Sequence, residues 1–267
     1  MSKLIKWSLV AALAGFLFGF DTVVISGADQ KLQELWNSSD IFHGSVVMAM
    51  ALWGTVFGAI FGGIPTRKYG RRNTLIWIGI FYSISAVGSA LANDPFTFAV
   101  FRFIGGVGVG VSGIAAPAYI SEIAPAKNRG KLVGFYQFNL VTGILVAFLS
   151  NYLLSEIGEN DWRYMMGVEA IPAILYTILV FSIPKSPRWL YLNNQKDKAE
   201  KIIRDAYSKN DADELIIEIT RDKESSIESE SIFQKKYSFI LTLAFLVAAF
   251  NQFLSLIHIS EPTRHCL

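Results

Sequence analysis

Apolar residues run almost unbroken for roughly twenty positions at a time over 8–27, 44–64, 74–93, 96–120, 132–153 and 164–184, and another run opens at 237. At 1.5 Å rise per residue, about 20 residues cross a ~30 Å hydrocarbon layer, so each run predicts a membrane-spanning helix. Strands are excluded, because no ten-residue block alternates with period two. The first run follows Lys3 and Lys6 as a signal peptide would, but Asp21 lies inside it and five more spans follow. Within the polar stretch 185–236, apolar residues recur at helical spacing: Ile202, Ile203 and Ala206, then Leu215, Ile216 and Ile219. That spacing predicts short amphipathic helices, followed by a Ser/Glu-rich linker over 224–231. The expected fold is all-α and membrane-embedded: a six-helix bundle over 1–184, a loop over 185–236, and the start of a seventh helix over 237–253.

Net charge is only +2 over 267 residues, and its distribution is more telling than its size. Short segments on one side of the spans hold Lys3, Lys6, Arg67, Lys68, Arg71, Arg72, Lys127, Arg129 and Lys131, with eleven more Lys or Arg over 185–236. The other side holds Lys31 and Arg163. Basic residues stay on the cytoplasmic side of a membrane, so the N-terminus is expected in the cytoplasm of a plasma or inner membrane. The lone Cys266 offers no disulfide framework, no metal-ligand cluster is present, and no cofactor is expected. Asn37-Ser38-Ser39 is read as a chance sequon. Gly108-Val-Gly-Val-Ser-Gly113 matches a dinucleotide-binding pattern literally, but it lies in an apolar span with no preceding strand. Gly54, Gly58 and Gly62, and Gly106, Gly108, Gly110 and Gly113, read instead as surfaces for close helix packing. No nucleophile–base pair supports an enzyme, and nothing points to nucleic acid; the evident partner is the lipid bilayer.

Charges inside a span are costly and mark function by default. There are three, Asp21, Arg102 and Glu169, each about five or six residues from the outer end of its span, or roughly 8–9 Å deep. Equal depth predicts an Asp–Arg–Glu cluster in the bundle interior. Two carboxylates face one guanidinium, so one is paired and the other is free to take a proton as the helices rearrange; a purely structural ion pair is the alternative. The first and fourth spans are the leading helices of the two three-helix repeats expected within such a bundle, which would set Asp21 against Arg102. Among neutral groups, Gln137 falls near the midplane, Asn139 lies on another face, and Asn251 and Gln252 lie deep in the seventh run. Amides pair donor with acceptor as vicinal sugar hydroxyls require, and Phe18 and Phe20 would offer apolar faces to a pyranose ring. Helix–helix bonding is the other use of such amides.

Five motifs carry a resemblance. Gly62-Gly-Ile-Pro-Thr-Arg-Lys-Tyr-Gly-Arg-Arg72 resembles the loop between helices 2 and 3 of major facilitators. Glu122-Ile-Ala-Pro-Ala-Lys-Asn-Arg129-Gly130 and Pro184-Lys-Ser-Pro-Arg188-Trp-Leu resemble loops of the sugar porter family, and Leu17-Phe-Gly-Phe-Asp-Thr22 and Asn251-Gln-Phe also fit. The likeness runs from about 10 to 253 and implies the N-terminal half of a twelve-helix transporter, with the C-terminal half missing. It implies a monosaccharide and a proton as partners, as in bacterial xylose– and hexose–proton symporters. Asp21 matches their proton-coupling aspartate, where facilitative carriers have Asn; Arg102 and Glu169 match its partners. Gln137, Asn251 and Gln252 match sugar-binding amides and Phe18 a ring-contacting phenylalanine. Arg71, Arg72, Glu122, Arg129 and Arg188 match a cytoplasmic charge network. Two departures stand out: Arg67 replaces an Asp of the first loop and Lys185 replaces a Glu of the third, so the network loses two acids.

Residues 254–264, Leu-Ser-Leu-Ile-His-Ile-Ser-Glu-Pro-Thr-Arg, read as the translation of a transposase sequencing adapter. The natural sequence is therefore expected to stop near Phe253, with 254–267 a non-native tail and His258, His265 and Cys266 without function. The function expected is sugar–proton symport by alternating access, with a facilitative uniporter or a non-transporting sugar sensor as alternatives.

Overall fold

The structure, a computed structural model, describes residues 2–125, 128–155 and 157–225, together with 238, 239, 242, 243, 246, 247 and 250. Two compact units divide the chain, 1–219 and 220–267. No strand occurs among the described residues. Six helical stretches are long and apolar enough to cross a membrane: Lys3–Gly27, Asp40–Phe61, Arg71–Leu91, Pro95–Ile123, Arg129–Leu154 and Asp161–Phe181. These are the first to sixth spans, and the apolar runs in the sequence anticipate each of them. Helix direction alternates, so Arg71, Arg129 and Arg188 gather at one end, called here the basic end. Asp29, Asp40, Asp94 and Asp161 gather at the opposite end. In the second unit the described positions from 238 to 250 are helical, and Phe239, Leu243, Val247 and Phe250 are exposed.

Local chemistry sets the breaks in these helices. Asp94 caps the fourth span by accepting from the N–H groups of Phe96 (3.0 Å) and Thr97 (2.9 Å), and Pro95 follows as its first residue, where a missing N–H is not needed. The Thr97 hydroxyl and these N–H groups hold the Asp94 carboxyl below its ordinary pKa. The sixth span is two helices, Asp161–Val168 and Ala170–Phe181, with Glu169 at the joint. Pro172 explains that joint: it has no N–H for the Val168 carbonyl, and its ring crowds that carbonyl. Pro65 acts in the same way on Phe61, and the second span gives way at Gly62 to the short helix Gly63–Lys68.

Glycines set how closely the spans pack. A Cβ on Gly54 would lie 2.2 Å from the Phe103 carbonyl oxygen, and one on Gly58 would lie 2.4 Å from that of Val107. The fourth span reciprocates, with Gly106 against the Ala51 oxygen (2.0 Å) and Gly110 against that of Thr55 (2.2 Å). A second interlock joins the first and fifth spans: Gly15 on the Tyr136 oxygen (2.4 Å), Gly19 on Leu140 (2.0 Å), and Gly143 on Phe16 (2.1 Å). In lipid, where no hydrophobic drive brings apolar helices together, such backbone contact carries the packing. Gly113, grouped with the packing glycines by sequence, faces open space. Below the basic end, the helices Pro187–Leu192, Lys196–Ala206 and Lys209–Ser225 share a small core of Trp189, Leu190, Ala199, Ile203, Leu215 and Ile219. The helix reaches Ser225, so 224 and 225 are helical and not linker.

Candidate functional site

Asp21 and Arg102 meet in the bundle interior. Arg102 Nη1 donates to Asp21 Oδ1 at 2.5 Å, and Nη2 donates to the Asp21 carbonyl at 3.0 Å. Two bonds from one guanidinium fix both its plane and its depth. Glu169 is fully buried, and no donor among the described residues reaches its carboxyl oxygens, the Asp21 carboxyl being their near neighbour. Asp21 and Arg102 are the charged groups close enough to act on it. The three intramembrane charges therefore stand together, with Glu169 at the joint between the two helices of the sixth span. A crevice of about 280 Å³ between the first, second and fourth spans reaches Asp21 and Arg102, with Thr22, Thr55 and Met48 on its walls. It adjoins an irregular turn of π-helix, His43–Met48. His43 is itself buried and bonds to Asp29 at 2.7 Å.

The Gly15–Tyr136 and Gly19–Leu140 contacts fix the register of the first span on the fifth, with Gln137 just past Gly15 and Phe18 farther along toward Asp21. Gln137 is exposed and Phe18 half-buried. Asn139 is spent within its own helix, its amide donating to the Phe135 carbonyl at 2.8 Å. Asn251, Gln252 and the 254–267 tail lie outside the described residues.

At the basic end, three loops distant in sequence converge. Arg71 bridges Glu122 at 2.7 Å, and the Ser186 hydroxyl donates to the other Glu122 oxygen at 2.5 Å. Trp189 lies against Gly70, whose φ of +87° suits glycine; a Cβ there would stand 2.9 Å from the indole ring. The Trp189 indole N–H donates to the Arg67 carbonyl at 2.9 Å. Arg129 and Arg188 both approach Glu218, at 3.6 Å and 3.7 Å. Arg72, expected in the same network, instead donates to the Val180 and Phe181 carbonyls at 3.4 Å and 2.8 Å and so closes the sixth span. Carbonyls left unpaired in the last turn of a helix accept such donors well. Glu218 had no signal in the sequence, since it is one acid among many in its helix; Ser186 had one, its place inside the Pro184–Arg188 motif, and Gly15 and Gly19 had theirs in a spacing of four. Glu218 supplies an acid where Arg67 and Lys185 have removed two, while Lys185 sits over the Trp189 ring at 5.4 Å.

Comparison with known proteins adds a family to this geometry. The sequence profile of the sugar (and other) transporter family matches residues 7–259. The chain is 37% identical over 234 residues to the D-xylose-proton symporter of Escherichia coli strain K12, covering 76% of this chain and 48% of that protein. It is 40% identical over 205 residues to the glucose transport protein of Synechocystis, covering 73% and 44%. The chain thus spans about half the length of the curated relatives it matches. Among solved structures, a major facilitator superfamily proton:xylose symporter bound to 6-bromo-6-deoxy-D-glucose superposes with a TM-score of 0.81 at 34% identity, over 85% of this chain and 55% of that one. A partially occluded inward open xylose transporter from E. coli gives 0.79 at 34% identity, over 84% and 60%.

Proposed function

The chain belongs to the sugar (and other) transporter family, and on that premise we propose that the full-length protein is a monosaccharide–proton symporter in which Asp21 carries the proton. The observation that supports this most is the buried trio of Asp21, Arg102 and Glu169. With both acids ionised, the site would hold a surplus negative charge in a medium of low dielectric, which is expensive. One proton removes the surplus. While Arg102 stays on Asp21, that proton belongs on Glu169; when the helices rearrange and the pair opens, it passes to Asp21. Proton occupancy and helix position are thereby coupled. Relatives named as D-xylose–proton and arabinose–proton symporters favour the same reading. The basic end is then cytoplasmic, the membrane is the cell membrane, and the Arg71–Glu122 and Glu218 contacts hold the cytoplasmic side closed. Phe18 and the exposed Gln137 form this half's share of the sugar site, and Asn251 and Gln252 would add to it from the seventh helix.

Asp21→Asn in the full-length protein tests the coupling. Uphill accumulation of sugar should vanish, while sugar exchange at equilibrium persists. Continued accumulation against a gradient in vesicles would refute the assignment. Gln137→Ala tests the sugar site: unpaired hydroxyls cost about 1–3 kcal/mol, or roughly five- to 150-fold in affinity. An unchanged dissociation constant by calorimetry would return Gln137 to a structural role.

A further inference from the structure

Asp21 lies 18 residues, ~27 Å, along the first span from Lys3, yet only a turn or two from that helix's far end. A proton held there is close to one face of the membrane and distant from the other. We propose that it crosses the remaining distance along a row of buried hydroxyls, from Ser85 through Tyr82 and Ser112 to Tyr136, bridged by water. This rests on the symport reading above and adds the route by which its proton leaves.

Ser89, Ser85 and Tyr82 lie on one face of the third span, at spacings of four and three, and all three are fully buried. The Ser85 and Ser89 hydroxyls have no hydrogen-bond partner among the described residues, and the Tyr82 hydroxyl has Ser112 as its near neighbour. A core hydroxyl without a partner is costly, and buried water is the usual remedy. Gly105 lets the Ser85 side chain close in on the fourth span: the point where a Cβ would stand is filled by the Ser85 hydroxyl and lies 3.4 Å from Asp21 Oδ1, which sets the two oxygens within the span of one bridging water. Tyr82 follows toward the basic end, within reach of Ser112 and near enough to Asp21, Tyr136 and Glu169 to feel their charge or dipole. Ser112 donates to the Val109 carbonyl at 2.8 Å and stands 3.4 Å from the Tyr136 hydroxyl. Tyr136 lies on the fifth span, seven residues, ~10 Å, from Arg129 at the basic end. Each hydroxyl accepts a proton on an oxygen lone pair and gives up its own hydrogen to the next group, so one proton advances and no group is left charged. The bland use of these residues, core packing with a few trapped waters, requires no order among them; the relay requires each.

Tyr82→Phe keeps the ring and removes the hydroxyl; Ser112→Ala spares the ring entirely. Both are read in the full-length transporter, with whichever of D-xylose, D-glucose or L-arabinose it accumulates. In both variants the initial rate of proton-driven uptake should fall at least tenfold, while exchange of labelled sugar at equal concentrations stays within twofold of wild type. Wild-type uptake in both variants overturns the relay. So does an equal loss of uptake and exchange, since that marks packing damage. If Asp21→Asn abolishes uphill uptake and these variants do not slow it, the relay alone fails; if Asp21→Asn leaves uphill uptake intact, the symport reading falls and takes the relay with it.

Discussion

Asp21 and Arg102 are each 1% exposed, whereas Glu218, the acid approached by Arg129 and Arg188, is 42% exposed. Both assemblies join charges from different helices, yet the physics differs. In the interior, each ion has given up its water, so the pair survives only while both partners and their hydrogen bonds are present. At the basic end, water remains within reach of Glu218, and the contacts of 3.6 Å and 3.7 Å are individually weak. Arg71–Glu122 falls between them, with side chains 17% and 7% exposed. A buried cluster therefore concentrates its effect in single residues, and an exposed network divides its effect among many; under the proposed symport, the first would suit reading one proton and the second a latch that opens repeatedly.

The sharpest way to break this comparison is Arg102→Leu in the full-length protein. Leaving Asp21 buried and unpaired should destabilise it by about 3–5 kcal/mol. Adding Asp21→Asn should restore most of the loss in thermal unfolding, though not uphill transport. A double variant no more stable than the single one would mean that the buried pair is not the source. Arg71→Ala should have a smaller effect, about 1.5–3 kcal/mol, because Glu122 keeps its bond from Ser186. An unfolding midpoint as low as that of Arg102→Leu would erase the distinction between the two regions. Smallest of all, Glu218→Ala should cost less than about 1 kcal/mol, and raising the salt concentration should shrink even that difference. A loss that is insensitive to salt would show the contact to be more desolvated than its exposure implies.

How much of this was legible beforehand follows from which quantities are local. Asp21, Arg102 and Glu169 stand out by residue type within apolar runs, and counting from the span ends gives their common depth. Pro172 is a visible sign of a break in the sixth span, which the sequence reading did not use; what the sequence lacks is any sign that no donor reaches the Glu169 carboxyl. The loop motifs name Arg71, Arg72, Glu122, Arg129 and Arg188 as a group, yet Arg72 is turned onto carbonyls and Glu218 enters from a polar helix with many equivalent acids. Asn139 resembles Gln137 as an amide two positions away. Yet Gln137 stays exposed while the Asn139 amide turns back onto its own helix.

The pattern along the chain sufficed for the six spans, their approximate ends, their alternation and the residues that carry charge. Each of these depends on the transfer of a side chain or peptide group between water and lipid, an energy that every residue pays according to its own type and near neighbours. Only the tertiary structure decided which charge meets which. Arg102 finds Asp21 across 81 residues because Gly54 and Gly58 seat the second span on the fourth, and Gly15 and Gly19 seat the first on the fifth. Those contacts set the rotation and register of the four helices they join. No window of sequence contains both sides of such a contact, so pairing, burial and the order of the hydroxyls along the third span come only with the packed bundle.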